Sequence, residues 1–231
     1  MTPATYEREG SIATIRLDDG KANALSPTML DAIGKALDRA EADGVKAVVL
    51  AGRAGRFSAG FDLSVLSAAG PDALRMLRGG FELAERMLAL PRPIVVACTG
   101  HAIAMGGFLL GSGDYRIGAA GAFRIHANEV AIGLTMPLPA LAILRYRLTP
   151  SAFDRAVCLA EAFDPESAVT AGLFDRVVPP DQVITTAQEV ARGLESLDAR
   201  AHAESKLRAR TTVLAELRAG IAHDFGRAEA A

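Results

Sequence analysis

Apolar residues along the chain follow two periods, and the switches between them mark the elements. Ser11 to Leu17, SIATIRL, alternates and is rich in β-branched residues, which predicts a strand. The polar, glycine-containing DDGKANALSP then predicts a loop that ends in a helix start. Ser26 supplies a capping hydroxyl, and Pro27 stands where no backbone donor is needed. Met29, Leu30, Ile33 and Leu37 recur at helical spacing, and Gly44 marks the stop. VKAVVLAG, Val45 to Gly52, is a continuous apolar run, as expected of a strand covered on both faces. FSAGFDLSVL, Phe57 to Leu66, fits neither period: Ser-Ala-Gly precedes bulky Phe61 and Leu63 with Asp62 between them, which predicts a sharp turn.

A helix follows from about Pro71 to Leu90, and RPIVVACTG (Arg92 to Gly100) predicts a second buried strand. HAIAMGGFLLGSGD turns through small residues into a short helix from about Gly106, and YRIGAAGAFRI predicts two brief strands around a turn. Past Pro137 the pattern is helical. One helix is bracketed by Asp164-Pro165 and Gly172, and another runs from about Asp181 to Leu194. Strand–helix alternation over the first two thirds predicts an α/β fold with largely parallel strands and a helical last third. No repeat, low-complexity tract or linker divides the chain.

Composition narrows the function classes. The 231 residues suit one domain with a sizeable core. Half of them are hydrophobic and the formal net charge is −2, which argues against disorder and gives no electrostatic case for nucleic acid. The apolar runs are too short and punctuated for a membrane span. The N-terminal MTPATYEREG lacks a basic-then-apolar signal, so a cytoplasmic protein is the default expectation. The two cysteines, Cys98 and Cys158, lie in apolar stretches and read as buried free thiols. The four histidines show no metal-ligand spacing, so no metal site is expected. GRAGRFSAG lacks the Lys-Ser/Thr of a phosphate loop, and neither G-x-G-x-x-G nor G-x-S-x-G occurs in a suitable context.

What remains is an arrangement used twice. The strands Val45 to Leu50 and Pro93 to Ala97 each run into a small-residue turn, SAGFDL and HAIAMGGF. Such turns gather at the carboxyl ends of strands, where ligands bind in α/β sheets. Two backbone N–H groups converging there on one oxygen make an oxyanion hole; two ordinary tight turns are the other reading.

FSAGFDL, GHAIAMGGFLL…GDYRIG, NEVAIGL and AGLFDRVVP, in this order, resemble the enoyl-CoA hydratase/isomerase (crotonase) family over nearly the whole chain. The resemblance implies a single crotonase-like domain over 1–231. It comprises a ββα spiral core at 1–190 and a shortened C-terminal helical segment at 191–231. It further implies assembly as a homotrimer or a dimer-of-trimers hexamer. The substrate would be an acyl thioester of coenzyme A, with no covalently bound cofactor. By the same resemblance the oxyanion donors are the backbone N–H groups of Phe61 and Met105, and Met105 departs from the glycine usual there. Ala22, Ala24, Ala59, Gly60, Asp62, Leu63, Gly106 and Phe108 are implied as further acyl-CoA contacts, with Ala59 in the turn that meets the adenine.

Hydratases of the family carry two glutamates, because adding water needs one group for the water and one for the α-proton. Here the second is Glu129, and the first falls on Phe108. A single carboxylate suits the family's Δ3,Δ2-enoyl-CoA isomerases, and Phe108 is expected to keep that carboxylate dry. The alternatives are hydration, with His126 or a water replacing the missing acid, and a catalytically silent acyl-CoA-binding protein. His126 also reads as a hydrogen-bonded structural histidine, and Asp62 and Asp114 look structural. Lys206, Arg208 and Arg210 form a solvated basic helix face or meet phosphates. The closing RAEAA lacks the family's usual final helix, so the lid over coenzyme A would be shorter or supplied differently.

Overall fold

The computed structural model describes residues 2–226. Strands β1 (Ala4–Glu9) and β2 (Ile12–Leu17) form a hairpin and lead into α1 (Pro27–Ala42). Next come β3 (Ala47–Ala51), β4 (Gly55–Ser58), α2 (Leu63–Ala68) and α3 (Pro71–Ala89). Then follow β5 (Ile94–Cys98), β6 (Gly100–Ile103), α4 (Met105–Gly111), β7 (Tyr115–Ala119) and β8 (Ile125–His126). The remainder comprises α5 (Leu138–Arg147), α6 (Pro150–Leu159), β9 (Ala162–Phe163), α7 (Pro165–Ala171), β10 (Arg176–Val178), α8 (Val183–Gly193), α9 (Ala199–Ala209) and α10 (Thr211–Phe225).

The strands divide between two sheets. One has the order β1-β2-β3-β5-β7-β10 and is parallel apart from the β1–β2 hairpin. The other has the order β4-β6-β8-β9 and is parallel apart from β9. Consecutive strands β3/β4, β5/β6 and β7/β8 therefore place their first member in the large sheet and their second in the small one, before the chain continues to a helix. This is the ββα spiral. It repeats in space although the sequence shows no repeat.

The expected run of buried strand residues has its physical reason in the two faces of the large sheet. Val48, Leu50, Ile94 and Val96 face the core that contains α1 and α3 residues. Ala47, Val49, Ala51, Val95 and Ala97 face the opposite side, covered by Val183, Ala187 and Ala191 of α8. The predicted caps are also present: Ser26 and Asp164 accept hydrogen bonds from the Met29 and Ser167 N–H groups, and Gly172 ends α7 in the left-handed region.

Three expectations need correction. Cys98 is buried, with its thiol pushed up to about 12 by burial, but Cys158 is exposed. Phe57 to Leu66 is not all turn: its first two residues end β4 and its last four begin the six-residue α2, whose first turn Asp62 caps. Lys206 and Arg210 form neither a solvated face nor a free phosphate site. They are only 7% and 6% exposed, and each lies 2.7 Å from the Asp114 carboxylate. Helices α9 and α10 carry these contacts, and α10 packs on α3 and α5. The RAEAA tail at 227–231 lies outside the described residues.

Candidate active site

Three successive turns of the spiral bring one expected residue each to the same end of the small sheet. Phe61 follows β4, Met105 follows β6, and Glu129 follows β8, which are adjacent parallel strands. Neighbouring strands lie about 4.8 Å apart, so the three positions span roughly two strand spacings. The Ala104 N–H donates to the His126 carbonyl at 2.7 Å, which ties the approach to Met105 directly to the approach to Glu129.

Close backbone packing holds the first two together. Gly60 has φ +88°, and a Cβ there would stand 3.0 Å from the Ile103 carbonyl oxygen, 3.1 Å from the Ala104 Cβ and 3.5 Å from the Met105 nitrogen. Gly106 makes a similar approach from the other side, where a Cβ would meet the Ser58 carbonyl oxygen at 2.6 Å. Among the described residues, neither the Phe61 nor the Met105 N–H donates to a protein acceptor. Two adjacent unspent donors at a strand end are what an oxyanion requires. Ala104, just before Met105, has φ 48° without being glycine, a strained conformation of the kind that collects at functional sites.

The loop at 19–25 buttresses this turn. The Ala59 N–H donates to the Ala22 carbonyl at 3.0 Å, and the Leu25 N–H donates to the Gly60 carbonyl at 2.8 Å. Buried Asn23 donates to the Leu17 and Phe57 carbonyls, and the Ser58 hydroxyl donates to the Asn23 carbonyl. The Ala24 N–H donates to Asp19 at 2.9 Å. Asn23, Ser58 and Asp19 were missed in the sequence, where the only available signal was a run of turn-forming polar residues. Gly60→Ala is expected to cost about 1–3 kcal/mol, because it forces a side chain into both a left-handed conformation and a filled space. Urea unfolding measures that loss as a lower midpoint.

Glu129 is 7% exposed, and its Oε2 has no hydrogen-bond partner among the described residues. Burial raises its pKa above the ordinary carboxylate value. A buried carboxyl with one oxygen left unpartnered is costly, and its retention here suits a group that exchanges a proton. The other acids near the strand ends are differently placed. Asp62 accepts from the Ser64 hydroxyl and N–H, and the Ser64 hydroxyl leads in holding it below its usual range. Asp114 is bound to Lys206 and Arg210. His126 Nε2 is engaged with the Ala160 carbonyl oxygen at 2.8 Å, as expected of a structural histidine.

Phe108, expected to keep Glu129 dry, also packs against another aromatic ring. It is buried in the core and stacks on Phe81 at 5.9 Å between ring centroids. Phe81 also meets the Phe61 ring edge-on at 6.3 Å and stacks on Phe225 of α10 at 5.6 Å. Phe108 therefore belongs to an aromatic cluster that reaches the Phe61 ring through Phe81. At the opening of that turn Leu63 is 72% exposed, a large apolar side chain left in solvent. Among the described residues no helix is long and apolar enough to cross a membrane, and no group of acids, histidines and cysteines could hold a metal ion.

A family model described as enoyl-CoA hydratase/isomerase matches residues 7–226. The chain is 51% identical to probable enoyl-CoA hydratase EchA3 of Mycobacterium tuberculosis, whose solved structure superposes with a TM-score of 0.94 over 98% of both chains. An apo structure of the same mycobacterial gene product, there called an enoyl-CoA isomerase, gives 50% identity and a TM-score of 0.93, covering 97% of this chain and 99% of that one. Probable enoyl-CoA hydratase EchA17 of Mycobacterium avium is 32% identical over 91% of this chain and 81% of its own length.

Proposed function

The chain belongs to the enoyl-CoA hydratase/isomerase family, and from that premise we propose that it moves the double bond of a 3-enoyl-CoA to the 2-position. The thioester carbonyl oxygen accepts from the Phe61 and Met105 N–H groups. Charge that develops on that oxygen is stabilised by donors already in place, which lowers the cost of removing the α-proton. The Glu129 carboxylate takes a proton from C2, electrons shift to give a dienolate, and the same carboxyl returns the proton to C4. One carboxylate completes the cycle, and no water enters the product.

The observation that carries this reading is the buried Glu129 carboxyl, whose Oε2 has no hydrogen-bond partner among the described residues. Phenylalanine stands where a hydratase has its other glutamate, and His126 is committed to the Ala160 carbonyl. One structure of the similar mycobacterial protein is called an isomerase and another a probable hydratase, so the choice rests on the residues. Ala22, Ala24 and Ala59 on the two loops beside the donors, and exposed Leu63 at the start of α2, fit contacts to the coenzyme A portion. The reading includes a trimeric or hexameric assembly, which light scattering in solution checks.

A base held above its ordinary pKa has a visible consequence. Glu129 must be ionised in the free enzyme to accept the α-proton, so kcat/KM for isomerisation is expected to rise with pH through an apparent pKa above 4.5. A profile flat down to the ordinary carboxylate range would contradict the assignment of Glu129 as the base.

A further inference from the structure

We propose that Gly80, in the middle of α3, is a positioning residue for the two N–H donors. Its missing side chain forms the seat of the Phe61 ring, and that seat fixes the direction of the Phe61 N–H. The inference rests on the reading of Phe61 and Met105 as ligands of a thioester oxygen.

Helix α3 carries two consecutive glycines, Gly79 and Gly80, inside its 19 residues. Glycine in a helix interior is unfavourable relative to alanine, so a pair of them calls for a reason. The two positions differ sharply. A Cβ on Gly79 would meet only Leu30 Cδ1, at an ordinary 3.8 Å. A Cβ on Gly80 would lie 2.5 Å from Phe61 Cε1, 2.6 Å from Phe61 Cζ and 3.4 Å from Met105 Cγ. One point on α3 thus abuts the side chains of both donor residues.

Phe61 is half-buried, and on its core side the ring is blocked from yielding to an added methyl. Phe81 lies edge-on beside it, and Phe81 is itself stacked between Phe108 and Phe225. On the backbone side, Gly60 is pressed against Ile103, Ala104 and the Met105 nitrogen. The Phe61 residue is held between these two surfaces, so a push on the ring tip is relieved through the Gly60–Phe61 peptide. Restoring ordinary contact requires a shift of about 1 Å, and displacements of that size at a reacting centre cost about 10²-fold in rate.

The test compares Gly80→Ala with its neighbour Gly79→Ala, each alone and with Phe61→Leu. Leucine retains the backbone donor and removes the ring atoms that the methyl would strike. Two readouts are taken: turnover of a 3-enoyl-CoA, and the carbonyl stretching frequency of bound hexanoyl-CoA, which falls when the oxygen accepts hydrogen bonds. Gly80→Ala is expected to lower kcat about 10²-fold and return the stretch towards its free value. Acyl-CoA affinity should change little, and a lower Tm is compatible with the strain of the inserted methyl. Gly79→Ala leaves both readouts at wild type, and Gly80→Ala adds no loss once Phe61 is leucine. Wild-type turnover and stretch in Gly80→Ala would overturn the proposal, as would an equal loss in the leucine background. If Gly80→Ala alone does not fold, the comparison within the Phe61→Leu background decides. A wild type that shifts the hexanoyl-CoA carbonyl without moving double bonds defeats the isomerase reading and leaves the positioning role to the stretch. A wild type with no shift defeats both.

Discussion

Glu129→Gln is expected to lower isomerisation of a 3-enoyl-CoA by about 10²–10⁴-fold, the range ascribed to a positioned acid–base group, without lowering the melting temperature. The two halves of this result have one cause. Burial raises the Glu129 pKa, and its Oε2 has no partner. An acid whose pKa is raised by folding holds its proton more tightly in the folded state. The cost of burying it is absent below the ordinary carboxylate pKa and grows as pH rises through the raised one. Near neutral pH the native glutamate therefore costs stability, and glutamine removes the charge while keeping the shape. Loss of activity together with equal or higher stability identifies a group retained for chemistry. A fall in both would instead mark Glu129 as a structural residue.

Asp114→Ala should have the largest effect on stability, about 3–5 kcal/mol, with a Tm lower by roughly 10 °C. Asp114 Oδ2 accepts from the Ile94 N–H at 2.6 Å and from Lys206 at 2.7 Å, and Oδ1 lies 2.7 Å from Arg210. It thereby joins the start of β5, the start of β7 and the α9–α10 junction. Removal leaves two buried cations without their counter-ion. Burial already pulls Lys206 down to about 8 against the attraction of Asp114. Without that attraction Lys206 can shed its proton, but Arg210 cannot. Thermal unfolding of Asp114→Ala beside Asp114→Asn reads this directly: asparagine keeps the bond from Ile94 and should lose less. A shift under about 1 kcal/mol would mean that the cluster behaves as an exposed pair.

How much of this was legible along the chain varied with burial and range. Ser26-Pro27 and Asp164-Pro165…Gly172 could be read because capping is local chemistry. The strands at 47–51 and 94–98 could be read because both of their faces are covered. Strand β6, Gly100–Ile103, could not, since four residues of alternating exposure that include a glycine carry little signal. Helix α2 has no buried residue, so it has no apolar period to find. Lys206 and Arg210 looked like surface charges because their partner, just before β7, lies far away in sequence. Phe61, Met105 and Glu129 were marked by resemblance to a family; spacing alone left two small-residue turns open to a dull reading. Their common position on three turns of the spiral depends on the pairing of β4, β6 and β8, which no local pattern encodes.

In the proposed reaction one carboxylate, Glu129, transfers a proton between two carbons and adds no water. Incubating the purified protein separately with a 3-enoyl-CoA and a 2-enoyl-CoA, and separating the products, tests it most directly. The expected result is rapid conversion of the 3-enoyl to the 2-enoyl thioester with little 3-hydroxyacyl-CoA from either substrate. Robust formation of 3-hydroxyacyl-CoA from the 2-enoyl thioester would contradict it, because hydration would then proceed without the second glutamate.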